Sequence, residues 1–543
     1  MVEHSPDMGH AAPESPLQDD TTARLVRGEV RDFLRTHEQR RRQLPRAIVL
    51  GFLSGLTAVA FTRLLAATDE WRTRLIEHAH AYPWWGMAVP VLVGALGAAV
   101  AVGLVRRIAP EASGSGIPQL KAVLHHLQTM RGLRILAVKF AGGVAGIGSG
   151  LALGREGPTI QMGGALGQEV SQWFGCTARE RQTLIAAGAG AGLAAAFNAP
   201  LSGLVFVLEE VQRDFAPTVF TATLIAAVTA DIVARLLNGQ LPVFHVQTES
   251  IPAIQGLPVS MLVGVAAGVL GVAFNRALVG TLDLFQRIRH WPAWAPGALA
   301  GSVVGAIGWF TPDVLGGGHR LVERTLAGHV TLLALPGFFA LRFFLTMLSY
   351  GSGAPGGIFA PLLVLGSELG LAVGLLSQRV LPHAVEHAQT FAVVGMAAYF
   401  SAIVRAPLTG IVLVVEMTGN YSLVLPLLAA CLTAYGVADF LRDRPVYEAL
   451  LERDLLRGQE RPALTGTLLL ELTIAPGAPF DGARVRDLGL PPGCVLVTLR
   501  RNLEEHVPTA ESRLQAGDRV TVVVAPEAAE AVLLLRRGAA AER

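Results

Sequence analysis

Charge is what this chain has least of. Asp, Glu, Lys and Arg make up 16% of its 543 residues, while 52% are hydrophobic. An ordinary soluble domain carries about 25% charged residues, so a soluble globular class is excluded and a polytopic membrane protein is expected. Cysteine is nearly as scarce. Cys176, Cys431 and Cys494 are odd in number and widely spaced, which excludes a disulfide framework and a CxxC metal site and leaves buried small hydrophobes as the reading. A net charge of +2 gives no footing for nucleic acid. No HExxH or nucleophile-elbow pattern is present, so an intramembrane protease or lipase is not expected, and the protein reads as no enzyme. No cofactor or metal is expected either. His125–His126 and His78/His80 lack the further ligands zinc requires. The GxGxxG match at Gly351–Gly356 has no βαβ unit around it. No apolar secretory segment opens the chain, so the first span is expected to stay as an anchor.

What is abundant is apolar length. Candidate spans of about 17–25 residues recur at 47–67, 87–105, 217–238, 257–280, 293–310 and 421–440. The 60 glycines suit closely packed or broken membrane helices. Trp84, Trp85, Trp291 and Trp294 fit an interfacial belt. Residues 1–22 are expected to form a disordered tail, and 23–44 a basic amphipathic helix ending in Arg40, Arg41 and Arg42. Those arginines, with Arg442, Arg444 and Arg453 after the last span, place both termini in the cytoplasm. The bilayer is thus an expected partner, and with no organelle signal the bacterial inner (plasma) membrane is the expected site.

The membrane region, 23–455, reads as two similar halves, roughly 23–240 and 255–455. GAGAGLAAAFNAPLSG (188–203) matches GMAAYFSAIVRAPLTG (395–410), and each runs on into acid, Glu209 and Glu210 in one case and Glu416 in the other. Upstream, GREGPTIQMGGALG (154–167) has a counterpart in SGAPGGIFAPLLVLGSELG (352–370). Paired halves with Gly/Pro-interrupted helices point to a transporter-like site at mid-membrane. After a linker at 456–463, residues 464–543 change character: LLLELTI, VLVTLRR and RVTVVVAP are short β-type runs between turn signals, followed by a helix near 527–536. The fold class expected is an all-α polytopic membrane protein with a small soluble α+β C-terminal domain.

Three segments interrupt apolar helices in the same manner: Gly114–Pro118, Gly154–Pro158 and Gly356–Pro361. Each would present backbone N–H groups at a helix start within protein-lined space. Such half-helix ends, each worth about half a positive charge, can replace an anion's water without trapping it as a full cation would. Ser115 adds a hydroxyl. The second segment contains Glu156, and a carboxylate at that depth costs about 2.5–3.5 kcal/mol, so its default reading is functional. An acid and an anion competing for one helix start is the expected chemistry.

In combination, these segments and Tyr447 resemble the signature of the CLC family of chloride channels and chloride/proton antiporters. The resemblance covers roughly residues 30–455 and implies an inverted repeat of tilted, broken helices assembled as a homodimer with two pores. It implies chloride and protons as substrates. Ser115, Gly116, Ile117, Gly157, Ile358, Phe359 and Tyr447 would line the chloride site, with Glu156 as the gating glutamate. Glu210 matches the internal proton glutamate of the antiporters, which channels usually lack. Antiport is therefore the expected function, with a passive voltage- or ligand-gated chloride channel as the alternative. Glu209 reads as solvated or salt-bridged and Glu416 as structural. Lys121 stands where some antiporter relatives carry an acid; it would alter the inner vestibule or pair with an acid such as Glu210. Residues 464–526 resemble the C-terminal domain of regulators of potassium conductance (RCK-C, or TrkA-C). That resemblance implies a dimerising or sensing module with a small-molecule or nucleotide ligand, although its Rossmann companion is absent and NAD binding does not follow.

Overall fold

Proline and glycine cut parts of the apolar sequence into helices too short to cross a bilayer singly, set among longer spans, and the fold follows from where those cuts meet. The computed structural model describes residues 16–540 except positions 83, 214, 241–243, 245–253, 289, 384, 458–466, 502–503 and 529, with side chains from Gln43 onward apart from 456, 457 and 533. The first half comprises α1 (Pro16–Ala79), α2 (Ala88–Ile108), α3 (Ile117–Leu124), α4 (Gly132–Gly148), α5 (Glu156–Trp173), α6 (Ala178–Phe197), α7 (Pro200–Phe206) and α8 (Pro217–Asn238). The second half repeats the order: α9 (Leu257–Arg287), α10 (Ala295–Phe310), α11 (His319–Leu326), α12 (Leu335–Gly351), α13 (Phe359–Val380), α14 (Ala388–Val404), α15 (Pro407–Thr418) and α16 (Val424–Phe440). A further helix, α17 (Val446–Arg457), leads out.

The two halves are related residue by residue. Helices α6 and α14 both end on a left-handed residue, Asn198 and Arg405. Ala-Pro follows in each case and starts α7 and α15, since proline has no N–H to lose at a first turn. A buried cation closes the loop before α3 and, in the second half, before α11. Lys139 donates to the carbonyls of Ala112 (3.0 Å) and Gly114 (2.7 Å), and Arg342 to those of Val314 (2.6 Å) and Gly316 (2.7 Å). Contacts between the halves are reciprocal, as a two-fold axis requires. Gly154 N–H donates to Gly357 O at 2.7 Å and Gly357 N–H returns to Gly154 O at 2.8 Å.

Two expectations about this region are corrected. Glu209 is not a solvated neighbour. It caps α15, accepting from Leu408 N (3.1 Å), Thr409 N (2.7 Å) and Thr409 Oγ1 (2.7 Å). Glu416 does the same for α7 through Leu201 N, Ser202 N and Ser202 Oγ. An exposed helix start satisfied by a carboxylate from the other half is the reason. Helix α1 begins at Pro16, so residues 16–22 are not tail but its first turns; proline at the start and Asp19–Asp20 close behind favour a helix there. Residues 1–15 of the expected tail lie outside the described residues, as does most of the expected linker.

Among the described residues, six helices are long and apolar enough to cross a membrane: Gln43–Ala79 within α1, α2, α8, α9, α13 and Tyr421–Phe440. The stretch expected at 293–310 is a shorter helix, while α13 was not among the spans read from sequence. Small residues let the broken helices touch. A Cβ on Gly163 would lie 2.0 Å from Gly188 O, joining α5 to α6, and one on Gly366 2.5 Å from Gly395 O, joining α13 to α14. Of the cysteines, only Cys431 is fully buried; Cys176 and Cys494 are half-buried, and all three are free.

The C-terminal unit is an antiparallel sheet of β1 (Leu468–Thr473), β2 (Cys494–Arg501), β3 (Glu504–His506) and β4 (Arg519–Val524) in the order β1-β4-β2-β3, with α18 (Ala531–Ala539) after it. The three β-type runs became β1, β2 and β4. β3 has only three residues, Glu-Glu-His, with no apolar alternation to reveal it. The core of this unit takes in Ala122 of α3 and Leu127 just beyond it, and Leu451 and Leu455 of α17 pack against it.

Candidate ion site

The three interrupted segments converge on Gly157. A Cβ there would lie 2.9 Å from Ser115 O, 3.0 Å from Ser115 Cα and 3.0 Å from Gly357 Cα, so only glycine lets all three backbones meet. The segments are also stitched together. Gly114 N–H donates to Ala354 O (3.2 Å) and Gly356 N–H to Gly114 O (3.0 Å), beside the Gly154–Gly357 bridge. Gly114 and Gly116 take φ of +58° and +80°, values other residues adopt at a steric cost. The N-termini of α3, α5 and α13 thus point into one place from three directions.

Glu156 is the first residue of α5 and only 3% exposed. Its carboxylate turns toward the backbone amides of Glu156 itself and of Ala360 in the first turn of α13. Arg155 Nε stands 3.9 Å from Oε1. The acid therefore lies where unsatisfied helix N–H groups offer an anion its best reception. It also lines a cavity of about 370 Å³ shared with Arg72, Arg155, His319, Arg320 and the Gly316–Gly318 loop. Ser115 and Tyr447 are not on that wall.

Ser115, in the loop before α3, is almost fully buried. Its Oγ accepts from Ile117 N–H at 3.4 Å, which ties up the Ile117 amide and leaves the hydroxyl proton to donate elsewhere. Tyr447, at the start of α17, is fully buried, and its hydroxyl has no hydrogen-bond partner among the described residues. It interacts electrostatically with Tyr350, Glu210 and Glu156. A buried polar atom without a partner is uncommon and calls for a reason; an anion is one. Ile358 and Phe359 are both fully buried at the start of α13, and the Phe359 ring packs on Phe400, Phe197 and Phe206 at centroid distances of 4.5, 5.7 and 6.0 Å. That aromatic packing holds the start of α13 in place.

Glu210 lies apart from this group, in a π-helical turn at Val207–Val211. Its Oε1 accepts from Lys121 Nζ at 2.7 Å. Arg213 lies 3.7 Å from Oε2 and is itself paired with Glu448 of α17. Of the two readings of Lys121, pairing with Glu210 is the one seen.

Sequence reasoning missed several neighbours. Tyr350 accepts from Ser115 N–H at 3.5 Å; its signal was a tyrosine six residues before the third glycine segment. Gln161 fills the space at Gly116, where a Cβ would lie 2.2 Å from its Oε1, and donates to Glu111 O at 2.8 Å. Lys139 and Arg342 were legible as cations in the interior of apolar helices. The Gly316–Gly318 loop, with φ of +58° and +78° at its outer glycines, is the second-half equivalent of Gly114–Gly116.

Comparison with known proteins agrees with this geometry. Residues 97–439 match the family model described as "Voltage gated chloride channel", and residues 469–535 match the TrkA-C domain. The chain is 40% identical over 461 residues to proteins named H(+)/Cl(-) exchange transporter ClcA from Salmonella paratyphi B and Salmonella newport, covering 81% of this chain and 96% of each relative. A slow cyanobacterial Cl-/H+ antiporter of known crystal structure superposes with a TM-score of 0.74 at 37% identity, covering 77% of this chain and 99% of that one. A eukaryotic CLC transporter, at 24% identity and a TM-score of 0.64 over 76% of this chain and 74% of that one, bears on the fold alone. The chain belongs to the CLC family of voltage-gated chloride channels and their transporter relatives, with a TrkA-C domain at its C-terminal end.

Proposed function

We propose that this protein exchanges chloride for protons across a membrane. The observation that carries the reading is the position of Glu156: a buried carboxylate at the joint N-termini of α5 and α13, beside Ser115 and the unpartnered Tyr447 hydroxyl. A carboxylate and a halide have the same charge and want the same donors, so occupancy by one excludes the other. Protonation removes the charge that keeps the side chain among the amides. The neutral acid swings aside, chloride takes its place, and the return of the carboxylate expels chloride. Backbone amides at Gly116, Gly157, Ile358 and Phe359 and the two hydroxyls replace the ion's water. Glu210 supplies the proton from the side where α3 and α17 meet the TrkA-C domain.

The relatives named as exchangers support antiport over a channel. Arginines before the first span and after the last support cytoplasmic termini, and family membership supports a homodimer. The TrkA-C match supports a ligand-sensing role for residues 464–543. A bacterial inner membrane is the setting that fits these features.

The test is Glu156→Gln in liposomes, with chloride and proton fluxes recorded together. Chloride should still move while proton coupling is lost. Proton pumping intact in that variant would refute the assignment, and a wild-type reversal potential indifferent to the pH gradient would favour a channel.

A further inference from the structure

An acid that relays protons must be able to change its charge, and Glu210 is not left free to do so. It is 1% exposed, and the ammonium 2.7 Å from its Oε1 belongs to a side chain only 4% exposed. The other groups facing it come from each neighbouring element. Arg213, 3.7 Å from Oε2, is half-exposed and shared with Glu448 of α17. Tyr447, at the start of α17, lies within electrostatic reach of Glu210 without a hydrogen bond to it. His125, at the end of α3, shares the electrostatic surroundings of Lys121, Arg213 and Arg536 of α18. Of the two cations, Arg213 is partly screened and divided between two acids, so Lys121 dominates.

A dry ion pair is stable only as a pair. For Glu210 to take a proton it must leave the ammonium or neutralise beside it, and either way Lys121 is stranded in a buried site. The pair also spans two parts of the mechanism. Lys121 sits one turn along α3 from Ile117, whose amide holds Ser115 Oγ, while Glu210 sits on the π-turn that follows α7.

We propose that Lys121 is a positioning residue for proton transfer: it holds the Glu210 carboxylate against α3 and sets the internal pH at which that carboxylate accepts a proton. The inference rests on reading Glu210 as the inner proton acceptor. A lysine fits the role because its compact ammonium rotates freely and follows a moving carboxylate, whereas a guanidinium would clamp it in one fork.

The experiment uses the full-length protein in liposomes, with chloride-driven proton flux measured against internal pH for wild type, K121M, K121Q, E210Q and K121M/E210Q. K121M should move the midpoint of proton flux toward alkaline pH by at least about one unit, a tenfold change in proton concentration, because a buried carboxyl without its cation keeps its proton. In the E210Q background the same substitution should leave the residual flux profile where E210Q alone puts it, since no acid remains to be held. K121Q keeps a neutral donor and serves where K121M does not fold; the same alkaline shift is expected. An unmoved midpoint in K121M or K121Q overturns the proposal, as does an equal shift from K121M with and without Glu210. Full coupled proton flux in E210Q itself would sink the underlying reading of Glu210 instead, and that result is distinct from either of these.

Discussion

Gly157→Ala perturbs the one point where three backbones touch. The new methyl would sit 2.9–3.0 Å from Ser115 O, Ser115 Cα and Gly357 Cα, whereas carbon contacts are comfortable at about 3.5–4.0 Å. None of these atoms belongs to a side chain able to rotate away. The segments must therefore part by about half an ångström, against the paired Gly154–Gly357 hydrogen bonds and the Gly356–Gly114 bond. Overpacking of this kind costs about 1–3 kcal/mol. Any parting also pulls donors on α3, α5 and α13 away from a common centre. About 1.4 kcal/mol of lost donation corresponds to a tenfold weaker anion. Isothermal titration of chloride, thermal unfolding and liposome efflux would be compared with Gly280→Ala, where an added Cβ meets nothing within 4 Å. Expected are roughly tenfold weaker binding and a lower melting temperature in Gly157→Ala alone. Wild-type affinity and melting temperature in that variant would refute the idea that the interrupted helices jointly form the site.

Two further outcomes are expected. Tyr447→Phe removes a hydroxyl that makes no hydrogen bond to the described residues; stability should hold or rise, since a buried orphan costs about 1–3 kcal/mol, while chloride affinity falls, and titration with unchanged affinity would argue against Tyr447 as a ligand. Glu209→Gln and Glu416→Gln should each destabilise the fold by about 0.5–2 kcal/mol through weakened capping of α15 and α7; closely similar losses in denaturant melts are expected because the caps are reciprocal, and a loss confined to one variant would break the symmetry argument.

Much of the fold could be read locally. Proline starting α7 and α15 after Ala199 and Ala406, and glycines at Gly114 and Gly116, act on their own backbone. Such effects need no distant partner. The similarity of 188–203 to 395–410 likewise named the two halves. Helix length was less legible. The stretch at 293–310 reads as a span but forms only Ala295–Phe310, because the Trp294 turn and Thr311 bound it. The β3 strand, too short and too polar to show alternation, exists through pairing with β2. Glu209 and Glu210 are adjacent and chemically identical, and no local rule separates an acid that caps α15 from one that meets Lys121.

The amino-acid order alone determined that the chain would be buried in lipid, where its helices would break, and that Glu156 would stand at one of the breaks, because apolar transfer and backbone sterics act over a few residues. Folding decided which breaks would meet. Gly154 finds Gly357, Ser115 finds Tyr350, and Lys121 finds Glu210 only when distant helices are packed together. Each of these contacts depends on distances of closest approach between separate elements, and no local propensity encodes them.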